Sequence, residues 1–444
     1  VATGQRFGFI DLETGVVPRH VWVLLYAAFA TIGLATFDAF ATPYVLSTAL
    51  GIPITEQGAM IGRLNVYTEI VLMLIFTPLG VLSDRIGRRA VYAFGFACLA
   101  LSYALFPYAT SETELALIRV IYSVGLGGVT GMIATLLGDY AVAPDRGKLT
   151  ALVGILNGLG VVTGAVFLAR LPRVFADMGY NEFQAGQYTL WIVAGLCLLS
   201  ALVVAAGLRK GLAATVTERQ SFGELFRSGF LLARTNPRIA VAFASAFVAR
   251  GDLVVVGTFL VLWGKVAAVN SGMDTAAALE AGRVPFIVAQ SAGLAFAIFA
   301  IFLLDRFHRV TGLAICMGLA AGGYLLLIFV ENPLDRANIP FFLLLGVGQI
   351  SALLGSTQLI GKEAPAAQRG SVIGAFSVAG ALGILITSGV GGSLFDSIDP
   401  RAPFVLLGLM NLVVLVAAVL VRIYAPGPPM AREFQSKAAP AAAA

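Results

Sequence analysis

Apolar runs of about 20 residues recur along the whole chain, and each is long enough to cross roughly 30 Å of hydrocarbon. We read twelve of them. The first six fall near residues 22–46, 59–83, 90–109, 114–139, 149–170 and 187–208. The second six fall near 238–262, 284–304, 310–330, 338–361, 371–395 and 402–424. They are continuous rather than alternating, which excludes a β-barrel. Hydrophobic residues make up 59% of the chain and charged residues 12%, with a mean hydropathy of +0.90. A soluble domain carries roughly 25% charged residues, so the expected class is an all-α integral membrane protein with twelve transmembrane helices. The first run is long enough to span and follows Pro18, Arg19 and His20, so it is expected as a span and not as a cleaved signal.

One half of the chain resembles the other. Gly62-Arg63 recurs as Gly282-Arg283, and Asp84-Arg85-Ile86-Gly87-Arg88 as Asp305-Arg306-Phe307-His308-Arg309, at offsets of 220 and 221. The stretch from Gly138 to Arg146-Gly147 matches Gly361 to Arg369-Gly370 at an offset of 223, and half of 444 is 222. This predicts two pseudo-symmetric six-helix lobes at 22–208 and 238–424. An N-terminal segment (1–21), an interlobe linker (209–237) and a tail (425–444) complete the chain. Two similar apolar halves with basic connecting loops are the pattern of a two-lobed membrane transporter.

Charge sets the expected orientation. Of the 29 Lys and Arg, 20 lie on the side of the termini, seven lie in the opposite loops, and Arg119 and Arg250 lie inside spans. The seven include Arg63, Lys265 and Arg283. An excess of basic residues marks the cytoplasmic side, so both termini are expected there, in a bacterial inner (plasma) membrane. The pI near 9.2 then reflects contact with the lipid bilayer, and no nucleic-acid partner is expected. In the linker, Ser221 to Glu224 has the form of a capping box. Phe222, Leu225, Phe226 and Phe230 behind it suit an amphipathic helix on the membrane surface. The tail beyond Pro426 is expected to be disordered.

Several chemistries find no support. Cys98, Cys197 and Cys316 all fall in spans, and His20 and His308 have no Cys or His neighbours, so no metal site is expected. No Walker motif occurs, which argues against ATP hydrolysis. No nucleophile–base arrangement rises from the spans, so we expect no enzyme and no cofactor.

The ionisable groups within spans are few: Asp38, Glu69, Arg119, Arg250 and Asp252. Each costs several kcal/mol to place in a bilayer, so each should face a partner or a wet cavity. At about 1.5 Å per residue, Asp38 lies roughly 24 Å from the terminal-side end of its span. On the same scale Glu69 lies roughly 12–15 Å, and Arg119 roughly 8 Å, from the opposite ends of theirs. Arg250 and Asp252 lie roughly 18–21 Å from the terminal side. Similar depths suggest one polar cluster, with Arg119 the natural partner of a carboxylate. Asp38–Arg119 and Arg250–Asp252 could also be static ion pairs. By the repeat, Glu69 falls opposite Gln290, Arg119 opposite Phe342 and Asp38 loosely opposite Asp252, so the halves differ at their charges. Asn65, Tyr67, Asn157, Gln290, Gln349 and Gln358 are further candidate cavity residues, with Tyr26, Phe37 and Phe40 as wall. Gly154, Gly158, Gly160 and Gly164 read as close-packing sites.

Gly80-Val81-Leu82-Ser83-Asp84-Arg85-Ile86-Gly87-Arg88-Arg89, between the second and third spans, resembles the loop signature of the major facilitator superfamily. Arg119 with Gly125, Gly127 and Gly128 is similar to the family's fourth-span motif, with Ser123 in place of a glycine. Pro144 to Lys148 and Pro365 to Gly370 resemble its later loops. The resemblance covers about 22–424. It implies that Gly80, Asp84, Arg85, Arg88 and Arg89 gate the transporter, through contacts between the lobes near Gly370-Ser371. The glycines of the fifth span do not match the Gly-Pro signature of many drug antiporters in the family.

The expected function is secondary active transport of a small organic solute, amphiphilic or charged, by proton-coupled alternating access. Glu69, Asp38 and Arg119 are the candidate proton-coupling residues. Asp38, Asn65, Glu69, Arg119, Arg250, Asp252, Gln290 and Gln349 are the candidate solute-binding residues. One chain supplies a complete pathway, so a monomer should suffice. Facilitated uniport, or a sensor or assembly role on the same fold, are the alternatives.

Overall fold

The structure is a computed structural model. It describes residues 5–210, 231–304, 306–365 and 368–427. The expected capping box and amphipathic helix of the linker, the tail beyond 427 and Asp305 of the repeat lie outside the described residues.

Among the described residues, twelve helices are long and apolar enough to cross a membrane. Spans 1 to 6 are Pro18–Thr48, Ile54–Ile86, Arg88–Tyr108, Glu112–Tyr140, Ala143–Asp177 and Glu182–Gly207. Spans 7 to 12 are Pro237–Asn270, Thr275–Ala300, Arg309–Phe329, Arg336–Glu363, Arg369–Ser397 and Ala402–Tyr424. Several begin on local start signals. Pro18, Pro237 and Pro403 sit in first turns, where the missing N–H is no loss. Ser111 and Asn181 cap spans 4 and 6 by accepting from Glu114 and Gln184 backbone N–H groups. Gly87 turns the chain between spans 2 and 3 at φ +96°, a conformation open to glycine. The spans run beyond the apolar runs, since amphipathic turns extend them into the interface. Span 7 in particular continues past residue 262 to Asn270.

Packing repeats between the halves. Span 1 packs on 5 and 6, span 3 on 4 and 6, and span 2 on 4. Span 7 packs in the same way on 11 and 12, span 9 on 10 and 12, and span 8 on 10. Two six-helix lobes result. They meet chiefly through spans 2 and 11 and through spans 5 and 8. Glycine makes some of these approaches possible. A Cβ on Gly160 would collide with the Phe29 carbonyl of span 1, and one on Gly62 would lie 2.6 Å from the Ser388 carbonyl of span 11. Gly164 and Gly158 are also close-packed, but Gly154 faces open space, contrary to expectation. Large apolar side chains such as Leu198, Leu202, Val413 and Ile423 are exposed on spans 6 and 12, as a lipid-facing surface requires.

We call the membrane side bearing the chain ends the terminal side and the other the far side. On the terminal side, strands Arg6–Phe7 and Ile10–Asp11 form a short antiparallel hairpin. It is tied to the junction of spans 4 and 5. Asp11 N–H donates to Asp145 Oδ2 at 2.7 Å, and Leu12 bridges to Ala141.

Candidate functional site

The structure divides the five intramembrane charges into three places instead of one cluster. The first is inside lobe 1. Span 1 breaks at Phe37, so that Asp38 opens a second helical segment, Asp38–Thr48. Around the break Tyr103 Oη donates to the Leu34 carbonyl at 2.6 Å and Tyr122 Oη to that of Ala35 at 2.8 Å. Asp38 pairs with Arg119 of span 4. Thr42 Oγ1 donates to Asp38 at 3.1 Å and accepts from Arg119 at 3.4 Å. The Arg119 guanidinium also lies 5.1 Å from the centre of the Tyr122 ring. Arg119 is 1% exposed, so its charge is spent on Asp38 and not on Glu69.

The second place is inside lobe 2. Asp252 is fully buried and accepts from Asn411 Nδ2 of span 12 at 3.2 and 3.3 Å. Its backbone carbonyl accepts from Tyr324 Oη and from Gln349 Nε2, and Gln290 donates to Gln349 at 3.1 Å. The alternative of a static Arg250–Asp252 ion pair is not met, since no ion pair joins them within 4.0 Å. Residues two apart on a helix point to different faces, so Asp252 turns into its lobe while Arg250 turns out of it.

The third place lies between the lobes. Glu69 of span 2 and Arg250 of span 7 interact electrostatically across the interface. Among the described residues neither side chain has a hydrogen bond or an ion-pair partner within 4.0 Å. Arg250 passes over Gly380 of span 11, where a Cβ would lie 2.5 Å from its Cγ. Close by in sequence, Asn65 of span 2 donates to Thr258 of span 7 at 3.3 Å, a direct cross-lobe bond.

The candidate gating residues gather at the terminal-side end of span 2. Arg88 pairs with Asp84, donates to Ser83 Oγ at 2.7 Å and reaches Asp139 of span 4 at 3.2 Å. Gly80 is buried, Arg89 half-buried and Arg85 exposed. In lobe 2, Glu363 joins Arg238 and Arg309 at 2.8 and 2.9 Å. Of the wall candidates, Phe40 is buried and meets Phe286 of span 8 edge-on, 5.4 Å between centres, whereas Tyr26 bonds Ser200 within lobe 1.

Sequence reasoning missed the far-side contacts. Lys265, counted in a loop, is a fully buried residue of span 7, and Arg63 and Arg283 also lie within helices. Lys265 Nζ donates to the Pro43 carbonyl, to Ser47 Oγ at 2.7 Å and to Gln57 Oε1 at 3.2 Å, all in lobe 1. Asp396 of span 11 accepts from the backbone N–H groups of Gly58 and Ala59 at 2.9 and 2.6 Å. A longer reading of span 7 would have found Lys265; nothing in the hydropathy pattern marks Asp396.

A sequence model of the Major Facilitator Superfamily matches residues 23–387 and again 285–443. The chain belongs to the major facilitator superfamily. It is therefore a multi-pass membrane protein of a transporter family whose members bind small-molecule solutes. It is 32% identical over 416 residues to the magnetosome protein MamH of Paramagnetospirillum magneticum AMB-1, covering 91% of this chain and 92% of that one. It is 26% identical over 408 residues to the magnetosome protein MamZ of the same strain, covering 89% of this chain but only 62% of MamZ. The solved structure of the nucleoside transporter NupG superposes with a TM-score of 0.72 at 16% identity, over 91% of this chain and 99% of that one. That likeness establishes the superfamily fold for this chain.

Proposed function

We propose that this protein is a proton-coupled secondary transporter that moves a small charged or amphiphilic organic solute by alternating access. The observation that carries this reading is the electrostatic interaction of Glu69 and Arg250 across the lobe boundary, with no hydrogen bond or ion pair between them. Asp38 is neutralised by Arg119, and Asp252 is enclosed with Asn411. Of the three intramembrane carboxylates, Glu69 is then the one left to interact with Arg250 of the opposite lobe. When ionised it attracts Arg250 and favours approach of the lobes around them. When protonated it releases Arg250 for a solute. The same two groups thereby link proton binding, solute binding and lobe position. Asp38 and Arg119 act as support, holding the broken first span against span 4. Asn65, Gln290 and Gln349 supply polar wall.

The terminal side is taken as cytoplasmic on the excess of Lys and Arg there, in a bacterial inner membrane. The lobes are taken as 22–208 and 238–424, with Gly80, Asp84, Arg85, Arg88 and Arg89 as the cytoplasmic-side gate. The test is proton movement in proteoliposomes loaded with a pH-sensitive dye and presented with a solute library. Wild-type protein should couple one solute class to proton flux, and Glu69→Gln should bind that solute without moving protons. Solute flux indifferent to the pH gradient would instead identify a uniporter.

The 32% identity to MamH over most of both chains favours a second reading of location, as a magnetosome protein. Co-purification of a fluorescent fusion with magnetosomes from Paramagnetospirillum magneticum tests it.

A further inference from the structure

The far side is held together by two oppositely charged residues of lobe 2 that grip three consecutive residues of lobe 1. Lys265 of span 7 takes the Gln57 side chain at 3.2 Å, and Asp396 of span 11 takes the backbone N–H groups of Gly58 and Ala59 at 2.9 and 2.6 Å. Gln57 begins the α-helix Gln57–Ile86, whose first N–H groups lack intrahelical acceptors. A carboxylate there meets both free donors and the positive end of the helix dipole. Lys265 completes its valence with the Pro43 carbonyl and with Ser47 Oγ at 2.7 Å. Its ammonium has three N–H groups and three oxygen acceptors, all of them neutral.

We propose that Lys265 and Asp396 form the far-side gate by clasping Gln57–Gly58–Ala59, and that this clasp must break each time the pathway opens to that side. The inference rests on the alternating-access reading above. Three features favour a gate over a permanent rivet. The contacts cross the lobe boundary, where rocking requires bonds to break. Lys265 is buried without a carboxylate at hydrogen-bond distance, so hydration on opening offsets the bonds that are lost. Gly58 admits Asp396 only because it lacks a side chain, since a Cβ there would lie 2.5 Å from Asp396 Oδ1. Gly62, one turn further along, meets Gly392 and the Ser388 carbonyl of span 11 just as closely and lets the two helices separate and reseat on smooth backbone surfaces.

Spin labels placed at exposed far-side positions Met178 and Glu331, with the three native cysteines replaced by alanine, would measure the separation of the lobes in purified protein. No solute is needed, so this result stands apart from the transport reading. Asp396→Asn keeps the size of the side chain but loses the charge, and one of its two acceptor oxygens becomes an NH2 donor that faces a backbone N–H. Lys265→Met keeps bulk and loses all three donors. Gly58→Ala leaves both charges in place and blocks their seat. We expect each variant to raise the ratio of wide to narrow far-side distances at least threefold. Folded Asp396→Asn and Gly58→Ala proteins with wild-type distance distributions would overturn the gate, whatever their flux.

Discussion

At the scale of single residues, Asp38 and Arg119 form a buried pair, and Glu69 and Arg250 do not. The consequences of mutation differ accordingly. Arg119→Met leaves the Asp38 carboxylate without its cation, and Asp38→Asn leaves the guanidinium without its anion. Removing one member of such a buried pair costs roughly 3–5 kcal/mol, and removing both recovers much of that. Unfolding in detergent micelles should therefore rank either single variant below the double variant. Glu69→Gln should unfold like wild type, because Glu69 has no bonded partner among the described residues to lose. A large loss of stability there would argue for a structural role. These roles were partly legible in the sequence. Depth along each helix identified the charged residues worth attention. Which way they face depends on helix rotation, and the helical ladder of span 1 is interrupted at Phe37, a break that no hydropathy profile records. Arg250 and Asp252 show the missed opportunity, since a spacing of two on a helix already argues against their pairing.

At the scale of elements, glycine placement and the break in span 1 decide how tightly the helices pack. Gly160→Ala would force a methyl group onto the Phe29 carbonyl and should lower the unfolding midpoint. Gly154→Ala, facing open space on the same helix, should leave it unchanged or raise it, because alanine suits a helix interior better by about 0.5–1 kcal/mol. Equal effects at both positions would refute the packing argument. Tyr103→Phe and Tyr122→Phe each remove one hydrogen bond from the carbonyls beside the break. Each should cost about 1 kcal/mol in the same measurement. The twelve elements themselves were legible from length and apolarity, since a bilayer demands hydrogen-bonded helices of nearly fixed length. Their ends were not. Polar side chains such as Lys265 and Gln57 extend helices past the apolar run when a partner waits for them, and that partner lies hundreds of residues away in sequence.

At the scale of the whole molecule, several hydrogen bonds and ion pairs cross between the lobes on the far side. They include Arg173 with Asp274 at 3.2 Å, Arg170 with Glu280 at 3.2 Å and the Arg283 guanidinium with the Ala165 carbonyl at 3.0 Å. These contacts hold the lobes together on that side. A short cleavable crosslink between Arg173→Cys and Asp274→Cys should fix them there, abolish turnover and release them on cleavage. Undiminished solute flux in the crosslinked protein would rule out rocking about this interface. The pseudo-symmetry of the lobes was legible from the repeated loop residues, because equivalent loops join equivalent helix pairs; the direction of closure was not, since it depends on contacts such as Asp396 with Gly58. One small feature has practical reach. The N-terminal hairpin is fastened to lobe 1 through Asp145 and Ala141, and near the other end of the described chain the Ala425 carbonyl accepts from Arg238 of lobe 2 at 3.4 Å. Each anchor therefore sits on a different lobe. Fluorophores attached beside them would turn the protein into its own optical ruler, in which any movement of one lobe against the other reads out as a change in energy transfer.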